Sequence, residues 1–440
     1  MRQRAAERLR QRIHRRDAVV AVLGLGYVGL PLAVTLAKDG FQVLGLERDS
    51  ERLRALHEGR SYVLDVPSIE IKSLRARGRF QVTSDPARLR DVEVVIICVP
   101  TPLLTPRKPD LSFLKAAIES VARNVTRPAL VVLESTTYPG TTDTLMRSIF
   151  DRTGHTLDQD IFLAFSPERI DPGNFKFSVR NIPKLVGGIT KESTILATAL
   201  YRHVVKRVVP VSSSRVAEMA KLLENTYRSV NIALANEFAL LCHAMQVDVW
   251  EVVRAASTKP FGFMPFYPGP GVGGHCIPSD PIYLTWRARA RDVRHELLIE
   301  SAAAVNARMP LHVVGRVGRM LKHRRRALKG ARLLVLGIAY KRDVADVRDS
   351  PALVILQTLQ ARGARVQYHD PFIPSVRIRG RLHRSKALTP ALLRGQDCVI
   401  IVTDHTTVNY RAVGERAPAI FDTRDVMRRY GRVRAAVERL

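Results

Sequence analysis

The feature that most constrains the fold is the stretch AVVAVLGLGYVGLPLAVTLAKDGFQVLGLERD at residues 18–49. Its apolar run VVAVLG predicts a strand that is buried on both faces, as in a parallel sheet. Gly24, Gly26 and Gly29 follow with GxGxxG spacing and open a predicted helix over 30–39, after which FQVLGL predicts a second strand. Because parallel strands need crossover helices that cover the sheet, this unit predicts an α/β protein.

The same stretch has the features of a dinucleotide-binding turn. Glycines let the main chain approach a pyrophosphate, whose negative charge then meets the amino end of a helix. Tyr27 and Val28 lie inside this loop, and Glu47 ends the second strand. An acid at that place accepts hydrogen bonds from the adenosine ribose and repels a 2′-phosphate, so we predict NAD rather than NADP. Arg48 weakens that preference, and the alternative is a tight turn that binds nothing.

Three further segments predict strands that end in polar or glycine-rich loops: DVEVVIICVPTP (91–102), ALVVLESTTYPGTT (129–142) and DIFLAFSPERIDPGN (160–174). Ligands of open α/β sheets bind at the carboxyl ends of the strands, so we expect these loops to meet around one crevice. After KHRRRALKG (322–330) a second Rossmann-like sheet is predicted from ARLLVLGIAYK, ARVQYHD, DCVIIVTD and AIFDTRD. Its first turn lacks GxGxxG, which favours a nucleotide other than NAD.

Between the two sheets the pattern is helical. RVAEMAKLLENTYRSVNIALANEFALLCHAM contains no Pro or Gly and predicts one long helix that links two domains and supplies a dimer face. Lys221 and Asn225 are four residues apart and share one face of it, although a solvated polar stripe would look the same. The predicted domains are a basic extension (1–17, a short amphipathic helix or a frayed tail), an NAD-binding Rossmann domain (18–212), a helical central and dimerisation domain (213–310) and a C-terminal Rossmann-like domain (311–440).

One cysteine lies in an unusual sequence, PGPGVGGHCIPSDP at 268–281. Gly and Pro interrupt both helices and strands, so this stretch predicts a loop. A thiol on such a loop, with His275 beside it and Asp280 four residues later, is a candidate nucleophile. The alternative for Cys276 is a free cysteine buried after a turn.

Composition restricts the remaining classes. The four cysteines are far apart and form no CxxC pair, which argues against disulfides or a zinc site and favours the reducing cytoplasm. No apolar run reaches the ~18–20 residues that span a bilayer, and the basic amino terminus lacks the apolar segment of a secretory signal. The net charge of +29 attracts anions, but the arginines are scattered and no nucleic-acid-binding motif occurs, so no nucleic-acid partner is predicted.

The motifs GLGYVGLPLA, CVPTPL, ESTTYPGTT, SPERIDPGN, AEMAKLLENTYRSVNIALANE, GGHCIPSDP and GIAYKRDVADVRDSP occur in this order over about residues 18–430. In this order the chain resembles the nucleotide-sugar 6-dehydrogenase family, also called the UDP-glucose/GDP-mannose dehydrogenase family. The resemblance implies oxidation of the C6 hydroxymethyl of a nucleotide sugar to a carboxylate, with two NAD and one catalytic cysteine. It further implies a homodimer or higher oligomer, no metal, and a product used for surface polysaccharide.

The resemblance also implies functions for single residues. Cys276 would form a thiohemiacetal and then a thioester, and Lys221 and Asn225 would stabilise oxyanion charge. The proton or water in the reaction would be managed by Asp280, Glu168 and Thr136. The implied cofactor contacts are the glycine loop, Glu47, Arg52, Thr101, Thr136 and Arg348. The implied substrate contacts are Glu168, Arg169, Lys221, Asn225, Lys259, Tyr267, Gly273 and Lys341.

The sugar is suggested by two segments. In SPERIDPGN, Pro172 stands where glucose- and mannose-type enzymes have an acid, which resembles the branch acting on UDP-N-acetylhexosamines. KPFGFMPFYPGPG (259–271) most resembles UDP-N-acetylglucosamine 6-dehydrogenases, and UDP-N-acetylmannosamine, UDP-N-acetylgalactosamine and UDP-glucose are the alternatives. Two other classes are the alternatives to this family: a β-hydroxyacid dehydrogenase, which needs no cysteine and releases one NADH, and an NAD-sensing regulator that binds nucleic acid.

Overall fold

The structure is a computed structural model that describes residues 2–63, 65–104, 108–171, 177–293 and 297–440. The chain forms two compact units: Met1–Glu224 with Ile282–Asp292, and Asn225–Pro281 with Val293–Leu440. Within the described ranges, no helix combines the length and the apolar character that crossing a membrane requires.

The helices are α1 (Arg2–Arg15), α2 (Gly29–Asp39), α3 (Ser50–His57), α4 (Ser68–Ala76), α5 (Ser112–Asn124), α6 (Arg147–Arg152), α7 (Lys191–Val204), α8 (Ser214–Ala244), α9 (Val249–Ala256), α10 (Cys276–Arg289), α11 (Leu297–His323), α12 (Pro351–Ala361), α13 (Pro390–Arg394) and α14 (Tyr410–Arg416). Short 3₁₀ turns occupy Pro86–Asp91 and Met427–Tyr430, and a π-helical turn at Thr141–Met146 leads into α6.

The strands are β1 (Val19–Leu23), β2 (Gln42–Leu46), β3 (Phe80–Thr83), β4 (Val94–Ile97), β5 (Leu103–Leu104), β6 (Lys108–Pro109), β7 (Ala129–Leu133), β8 (Ile161–Phe165), β9 (Lys184–Gly188), β10 (Val208–Pro210), β11 (Arg332–Leu336), β12 (Arg365–His369), β13 (Ser375–Ile378), β14 (Arg381–Arg384), β15 (Cys398–Ile401), β16 (Ala419–Asp422) and β17 (Ala436–Arg439). β5 with β6, and β13 with β14, form small antiparallel pairs.

The first unit contains a sheet with the strand order β10-β9-β8-β7-β4-β1-β2-β3. Its strands pair in parallel except at β8 and β9, which are antiparallel. β4, β7 and β8 bury every residue, which explains their continuous apolar sequences. The chain runs outwards from β1 to β3 and then from β4 to β8 on the other side. The order therefore reverses between β1 and β4, where open sheets bind ligands.

The amino-terminal extension is the helix α1. Ala6, Leu9 and Ile13 recur at helical spacing and are buried in the core of the first unit together with residues of α2 and α7. Burying a leucine or isoleucine side chain contributes about 1.5–3 kcal/mol relative to leaving it exposed. Of the two alternatives for this segment, the amphipathic helix is therefore correct and the frayed tail is wrong.

The second unit contains a fully parallel sheet with the order β12-β11-β15-β16-β17. Here the strand order reverses between β11 and β15. The turn after β11 contains Gly337, whose φ is +78°, and a Cβ there would lie 2.2 Å from the carbonyl oxygen of Thr403. A glycine is needed because the two turns at the reversal point pack main chain against main chain.

The helical segment between the sheets begins with α8, which runs without interruption for 31 residues, and continues through α9, α10 and α11. Two Rossmann-like sheets, a helical central segment and a long connecting helix are the architecture that the sequence predicts, so the predicted fold class is confirmed.

Candidate active site

The glycine loop lies between β1 and α2, beside the reversal point of the first sheet. Gly24 has φ +85°, and a Cβ there would lie 2.7 Å from the carbonyl oxygen of Cys98. A Cβ on Gly29 would lie 1.9 Å from the carbonyl oxygen of Gly24, whereas a Cβ on Gly26 would meet no atom within 4 Å. The first glycine thus permits the turn, the third lets helix pack on strand, and the second faces the open space that a pyrophosphate needs.

Glu47 directly follows β2 and is buried. Its carboxylate accepts hydrogen bonds from the main-chain N–H groups of Leu25 at 3.1 Å, Arg48 at 2.8 Å and Asp49 at 3.1 Å. The Arg52 guanidinium lies 3.9 Å from Glu47. Glu47 is therefore held against the glycine loop, where a ribose would bind, while Arg48 is exposed.

A cavity of about 230 Å³ adjoins this loop and is lined by Gly26, Tyr27, Glu51, Arg52, Ala55, Tyr62 and Val63. The Tyr62 hydroxyl donates to the carbonyl oxygen of Leu25 at 2.7 Å, and the Arg52 guanidinium lies 5.5 Å from the centre of the Tyr62 ring. Burial raises the pKa of Tyr62, so it remains a neutral donor. A flat ring and a guanidinium beside Gly26 suit the adenosine half of a dinucleotide.

The loops after β4, β7 and β8 are adjacent, because these strands are neighbours in the sheet. Ser135 donates a hydrogen bond from its hydroxyl to the carbonyl oxygen of Val99 at 2.8 Å. Thr101 is buried, and its carbonyl oxygen accepts from the Tyr283 hydroxyl at 3.0 Å. Thr136 is half-buried beside Ser135. The structure thus brings together the three loops that the sequence predicts at one crevice.

Glu168 follows β8 and is linked to the long helix α8. The Lys221 ammonium donates to the main-chain carbonyl oxygen of Glu168 at 2.6 Å. One carboxylate oxygen of Glu168 accepts from the N–H of Arg169 at 2.6 Å and from the N–H of Ile170. The structure therefore places the predicted lysine and the predicted glutamate side by side.

The Arg169 guanidinium binds other groups of the first unit, namely Glu224 and the main chain of Pro183. It forms an ion pair with Glu224, with an Nε–Oε2 distance of 3.1 Å, and donates to the carbonyl oxygen of Pro183 at 2.8 Å. Three of the five N–H groups of this guanidinium thus have protein acceptors. Pro172, on which the sequence argument about the sugar depends, lies outside the described residues.

Glu218 lies one turn before Lys221 on α8, and the sequence analysis did not single it out. Its buried carboxylate accepts from the N–H of Gly140 at 2.6 Å and from the N–H and hydroxyl of Thr142 at 2.9 and 2.7 Å. Burial raises the pKa of Glu218 to about 7. Glu218 therefore ties the helix that carries Lys221 to the loop that carries Thr136, and only the fold reveals this contact.

Cys276 belongs to the second unit and is the first residue of α10. The prediction that PGPGVGGHCIPSDP is entirely a loop is therefore wrong from residue 276 onwards. Pro278 lies in the first helical turn, where main-chain N–H groups have no acceptor within the helix, so a proline costs little. Only Pro281 interrupts the helix interior. The half-buried thiol thus lies at the amino end of a helix, which favours a negative charge.

Asp280 is buried one turn after Cys276. The side-chain amide of Asn225 donates a hydrogen bond to its carboxylate. Asp280 thus lies one helical turn from Cys276 and is hydrogen-bonded to Asn225, so these three predicted site residues are connected within the second unit.

The loop before Cys276 packs on the segment after β11. The N–H of Gly274, whose φ is +82°, donates to the carbonyl oxygen of Arg348 at 2.9 Å. A Cβ on Gly273 would lie 2.8 Å from the carbonyl oxygen of Asp349. The Arg348 guanidinium pairs with Asp346 at 2.6 Å and is half exposed. Gly273 therefore permits this close approach of the two loops.

The other predicted substrate residues occupy three places in the second unit. Tyr267 is exposed and stacks on Trp250, with ring centres 6.0 Å apart. Lys259 is exposed and lies over the ring of Phe261 at 5.0 Å. Lys341 follows β11 at the reversal point of the second sheet and is half-buried.

Arg424 is a site candidate that the sequence analysis missed. It follows β16, donates from Nε to the carbonyl oxygen of Val402 at 2.9 Å, and lies near Arg342, which pairs with Asp404. Burial and the charge of Arg342 lower the pKa of Arg424 to about 10. Two arginines at the carboxyl ends of parallel strands suit the phosphates of a nucleotide. The signal was available: Arg424 follows AIFDT, a predicted strand end.

Among the described residues, no group of three or more His, Cys, Asp or Glu side chains is placed to hold a metal ion. A Rossmann-like domain whose glycine loop and acid fit NAD, in a chain with a second nucleotide-type domain, has the architecture of an NAD-dependent dehydrogenase.

Sequence comparison then identifies the family. The NAD binding domain of the UDP-glucose/GDP-mannose dehydrogenase family matches residues 18–205, its central domain matches residues 215–308, and its UDP binding domain matches residues 334–429. The chain belongs to this family and is an NAD-dependent nucleotide-sugar 6-dehydrogenase. The predictions of the family, of the enzyme class and of NAD are thereby confirmed.

Individual relatives cover nearly the whole chain. It is 38% identical over 417 residues to UDP-N-acetyl-D-mannosamine dehydrogenase of Pyrococcus horikoshii, covering 93% of this chain and 96% of the relative. It is 36% identical over 360 residues to UDP-N-acetyl-D-glucosamine 6-dehydrogenase of Pseudomonas aeruginosa, covering 81% and 84%. The solved structure of the Pyrococcus horikoshii UDP-D-ManNAc dehydrogenase superposes with a TM-score of 0.86 at 36% identity, over 96% of this chain and 98% of that one.

Proposed function

We propose that the enzyme oxidises the C6 hydroxymethyl group of a UDP-N-acetylhexosamine to a carboxylate, with Cys276 as the nucleophile. The observation that carries this proposal is the position of Cys276 as the first residue of α10, four residues before the Asp280 that Asn225 holds. The amino end of a helix favours the thiolate, which is the reactive form.

The need for a thiol follows from the chemistry of the second oxidation. NAD, when bound at the glycine loop, supplies the acceptor for each of the two hydrides. The first oxidation gives an aldehyde, which has no second hydride to release until a nucleophile adds to it. Addition of the Cys276 sulfur gives a thiohemiacetal, loss of the second hydride gives a thioester, and water hydrolyses it.

Further predicted site residues would serve these steps. The Lys221 ammonium and the Asn225 amide are donors on one helix, suited to an oxygen that gains negative charge. Asp280 would exchange a proton with the reacting groups, and Glu168, with Thr136 on the neighbouring loop, would orient and deprotonate the hydrolytic water. The proposed NAD contacts are Gly24, Gly26, Tyr27, Val28, Gly29, Glu47, Arg52, Thr101, Thr136 and Arg348. The proposed substrate contacts are Glu168, Lys221, Asn225, Lys259, Tyr267, Gly273 and Lys341, to which we add Arg342 and Arg424. For Arg169, whose guanidinium is bonded to Glu224 and Pro183, we propose that it braces the loop.

For the sugar, we propose UDP-N-acetylglucosamine. The proposal is supported by the sequence of residues 259–271 and by a relative of that name at 36% identity. UDP-N-acetylmannosamine is the second candidate, because a relative with that name is 38% identical. The two sugars differ in the orientation of one substituent, so the test must compare both directly.

The deciding experiment offers NAD with UDP-N-acetylglucosamine, UDP-N-acetylmannosamine, UDP-N-acetylgalactosamine and UDP-glucose in parallel. NADH is counted by absorbance and the product is identified by mass. Two NADH for each uronic acid formed would support the four-electron reaction. One NADH for each sugar, with an aldehyde or ketone as the product, would overturn it in favour of a simple hydroxyl dehydrogenase. The sugar with the highest kcat/KM is the substrate.

We also propose that the enzyme is a homodimer. On α8, Tyr227, Leu234, Phe238 and Leu241 recur at helical spacing, so they share one face, and Met245 directly follows the helix; these five side chains are between 45% and 70% exposed. A continuous apolar stripe of this kind favours a protein partner over solvent. A second copy of the chain provides the same stripe, as a two-fold interface requires. None of the four cysteines, all of which lie in the described residues, takes part in a disulfide, which suits the cytoplasm that the sequence predicts.

A further inference from the structure

A cluster of buried polar side chains lies directly behind Glu168. The Lys184 ammonium lies 2.8 Å from Oε2 of Glu134 and 3.7 Å from Oε2 of Glu168. The Tyr201 hydroxyl donates a hydrogen bond to the other carboxylate oxygen of Glu134. The side chains of Glu134 and Lys184 are 0% and 8% exposed, and Tyr201 is fully buried. Because buried charges need partners, these groups hold one another in fixed positions.

The sheet topology explains why these residues meet. Glu134 directly follows β7, and Glu168 lies three residues after the neighbouring parallel strand β8. β9 runs antiparallel to β8, so its first residue, Lys184, lies at the edge where β7 and β8 end. Tyr201 comes from α7, and its ring lies 5.1 Å from the Lys184 ammonium. The antiparallel pairing of β8 with β9 thus places Lys184 at the carboxyl ends of β7 and β8, beside Glu168.

The electrostatics make this lysine the shared partner of two carboxylates. Burial alone lowers the pKa of Lys184, but the charges of Glu134 and Glu168 raise it overall, so the amine keeps its proton. Burial raises the pKa of Glu134, and the charge of Lys184 opposes this shift. Burial also raises the pKa of Tyr201, so its hydroxyl remains a donor to Glu134.

We propose that Lys184 is a positioning residue for Glu168, and that Glu134 and Tyr201 hold Lys184 in place for this purpose. Lys184 attracts Oε2 of Glu168, while two main-chain N–H groups donate to Oε1. The carboxylate is therefore fixed at both oxygens. This inference rests on the proposed function of Glu168 in thioester hydrolysis.

In that step the oxygen of water attacks the thioester carbonyl carbon, and Glu168 accepts a proton from the water. The C–S bond then breaks, Cys276 leaves as a thiolate, and the sugar leaves with a carboxyl group; no electrons are transferred. A Glu168 carboxylate that has turned away cannot accept this proton. Loss of Lys184 should therefore slow hydrolysis while both hydride transfers continue.

The test uses the double variant Lys184→Met/Glu134→Gln. Both charges are removed because Lys184→Met alone would leave the Glu134 carboxylate buried without its cation, which can prevent folding. We expect kcat to fall about ten- to a hundredfold, less than the roughly 10²- to 10⁴-fold that a general base itself contributes, with KM within about threefold of wild type. NADH should appear in a burst of two per active site, and intact-protein mass should show the thioester adduct accumulating on the enzyme.

Three comparison variants make the result specific. Arg12→Met/Glu93→Gln removes another partly buried ion pair of the same unit, with a 2.6 Å contact, and should show neither burst nor adduct. Glu168→Gln should accumulate the same adduct more completely. Tyr201→Phe removes one hydrogen bond and no charge, so it gives a weaker effect of the same sign and tests the proposal even if the double variant fails to fold.

The outcomes separate the two proposals. An adduct in Glu168→Gln, with no adduct and normal kcat in Lys184→Met/Glu134→Gln and in Tyr201→Phe, would overturn the positioning function of Lys184 and leave the proposed mechanism standing. No adduct in Glu168→Gln would overturn the hydrolytic function of Glu168 and this inference together. A fall in kcat without a burst or an adduct would show that Lys184 acts before hydrolysis, which also contradicts the inference.

Discussion

Alanine at Gly29 should lower the stability of the protein, whereas alanine at Gly26 should weaken NAD binding. A Cβ on Gly29 would lie 1.9 Å from the carbonyl oxygen of Gly24 and 3.2 Å from the Cβ of Cys98. The nearest atom belongs to the main chain and cannot swing aside as a long side chain could. Overpacking of this kind costs about 1–3 kcal/mol. The greater helix propensity of alanine, up to ~1 kcal/mol, offsets little of this at the first residue of a helix.

Gly26→Ala should leave the fold intact. A Cβ there meets no atom within 4 Å, and the φ of Gly26 lies outside the left-handed region. The variant should be as stable as wild type, or more stable by about 0.4–1 kcal/mol, because alanine restricts the unfolded chain. The added methyl group occupies the space through which a pyrophosphate approaches the loop. We therefore expect NAD to bind at least about tenfold more weakly, a change of ~1.4 kcal/mol.

Both variants can be measured in the same two assays. Urea unfolding gives the free energy of unfolding, and calorimetric titration with NAD gives Kd. We expect Gly29→Ala to lose stability and Gly26→Ala to lose affinity alone. Unchanged NAD affinity in Gly26→Ala would refute the assignment of this loop to the cofactor, and unchanged stability in Gly29→Ala would refute the packing argument.

Three further predictions concern pH, the sugar loop and assembly. Burial and the charges of Arg316 and Arg319 lower the pKa of His312 to about 4. The free energy of unfolding should therefore keep the contribution of the neutral His312 above pH 6.5, and lose ~1–2 kcal/mol, after allowance for partial exposure, as the pH falls from 6.5 through about 4. Urea unfolding of His312→Leu should lack this part of the pH dependence, and parallel pH curves for the variant and wild type would contradict it. Arg169→Ala should lower kcat/KM about tenfold for UDP-N-acetylglucosamine and UDP-glucose alike, because the bonds of Arg169 to Glu224 and Pro183 brace the loop after β8. A fall in kcat/KM confined to the N-acetyl sugar would instead indicate a direct contact between Arg169 and the substrate. Phe238→Glu should convert the proposed dimer to a monomer in light scattering, while Glu237→Gln should not. A monomeric wild type would exclude the proposed interface.

The first Rossmann unit could be predicted closely because its signals are local. β1 is a short apolar run, the glycines stand at fixed spacing, and Gly40 ends α2 in the left-handed conformation with φ +111°. The long helix α8 was equally predictable, because no Pro or Gly interrupts its sequence. In each case the residues that determine the structure lie within a few positions of one another.

The start of α10 could not be predicted by the same reasoning. Pro278 and Pro281 indicate a break in any helix, yet the first turn tolerates a proline because its N–H groups are unpaired in every helix. Whether a proline falls in the first turn depends on where the helix begins. For Cys276 that point is fixed by the packing of the preceding glycines on the segment after β11.

The cluster behind Glu168 was hidden for a different reason. Glu134 and Lys184 are fifty residues apart in the sequence, and although Glu134 begins the motif ESTTYPGTT, Lys184 lies in none of the motifs that the sequence offers. They meet only because β9 runs antiparallel to β8. Strand direction is set by the connection that precedes it, and an isolated lysine at a predicted strand start gives no sign of its partner.

The central claim is that Cys276 carries the sugar through a covalent thioester, and the most direct test measures uronic acid formed by Cys276→Ser. A serine hydroxyl is a far poorer nucleophile than a thiolate near neutral pH. With the UDP-sugar that wild type oxidises best, the variant should bind NAD normally and form no uronic acid above background, with aldehyde as its only product. Cys242→Ser, which alters a buried thiol elsewhere in the second unit, should keep wild-type activity. Uronic acid formation by Cys276→Ser at the wild-type rate would contradict the covalent mechanism.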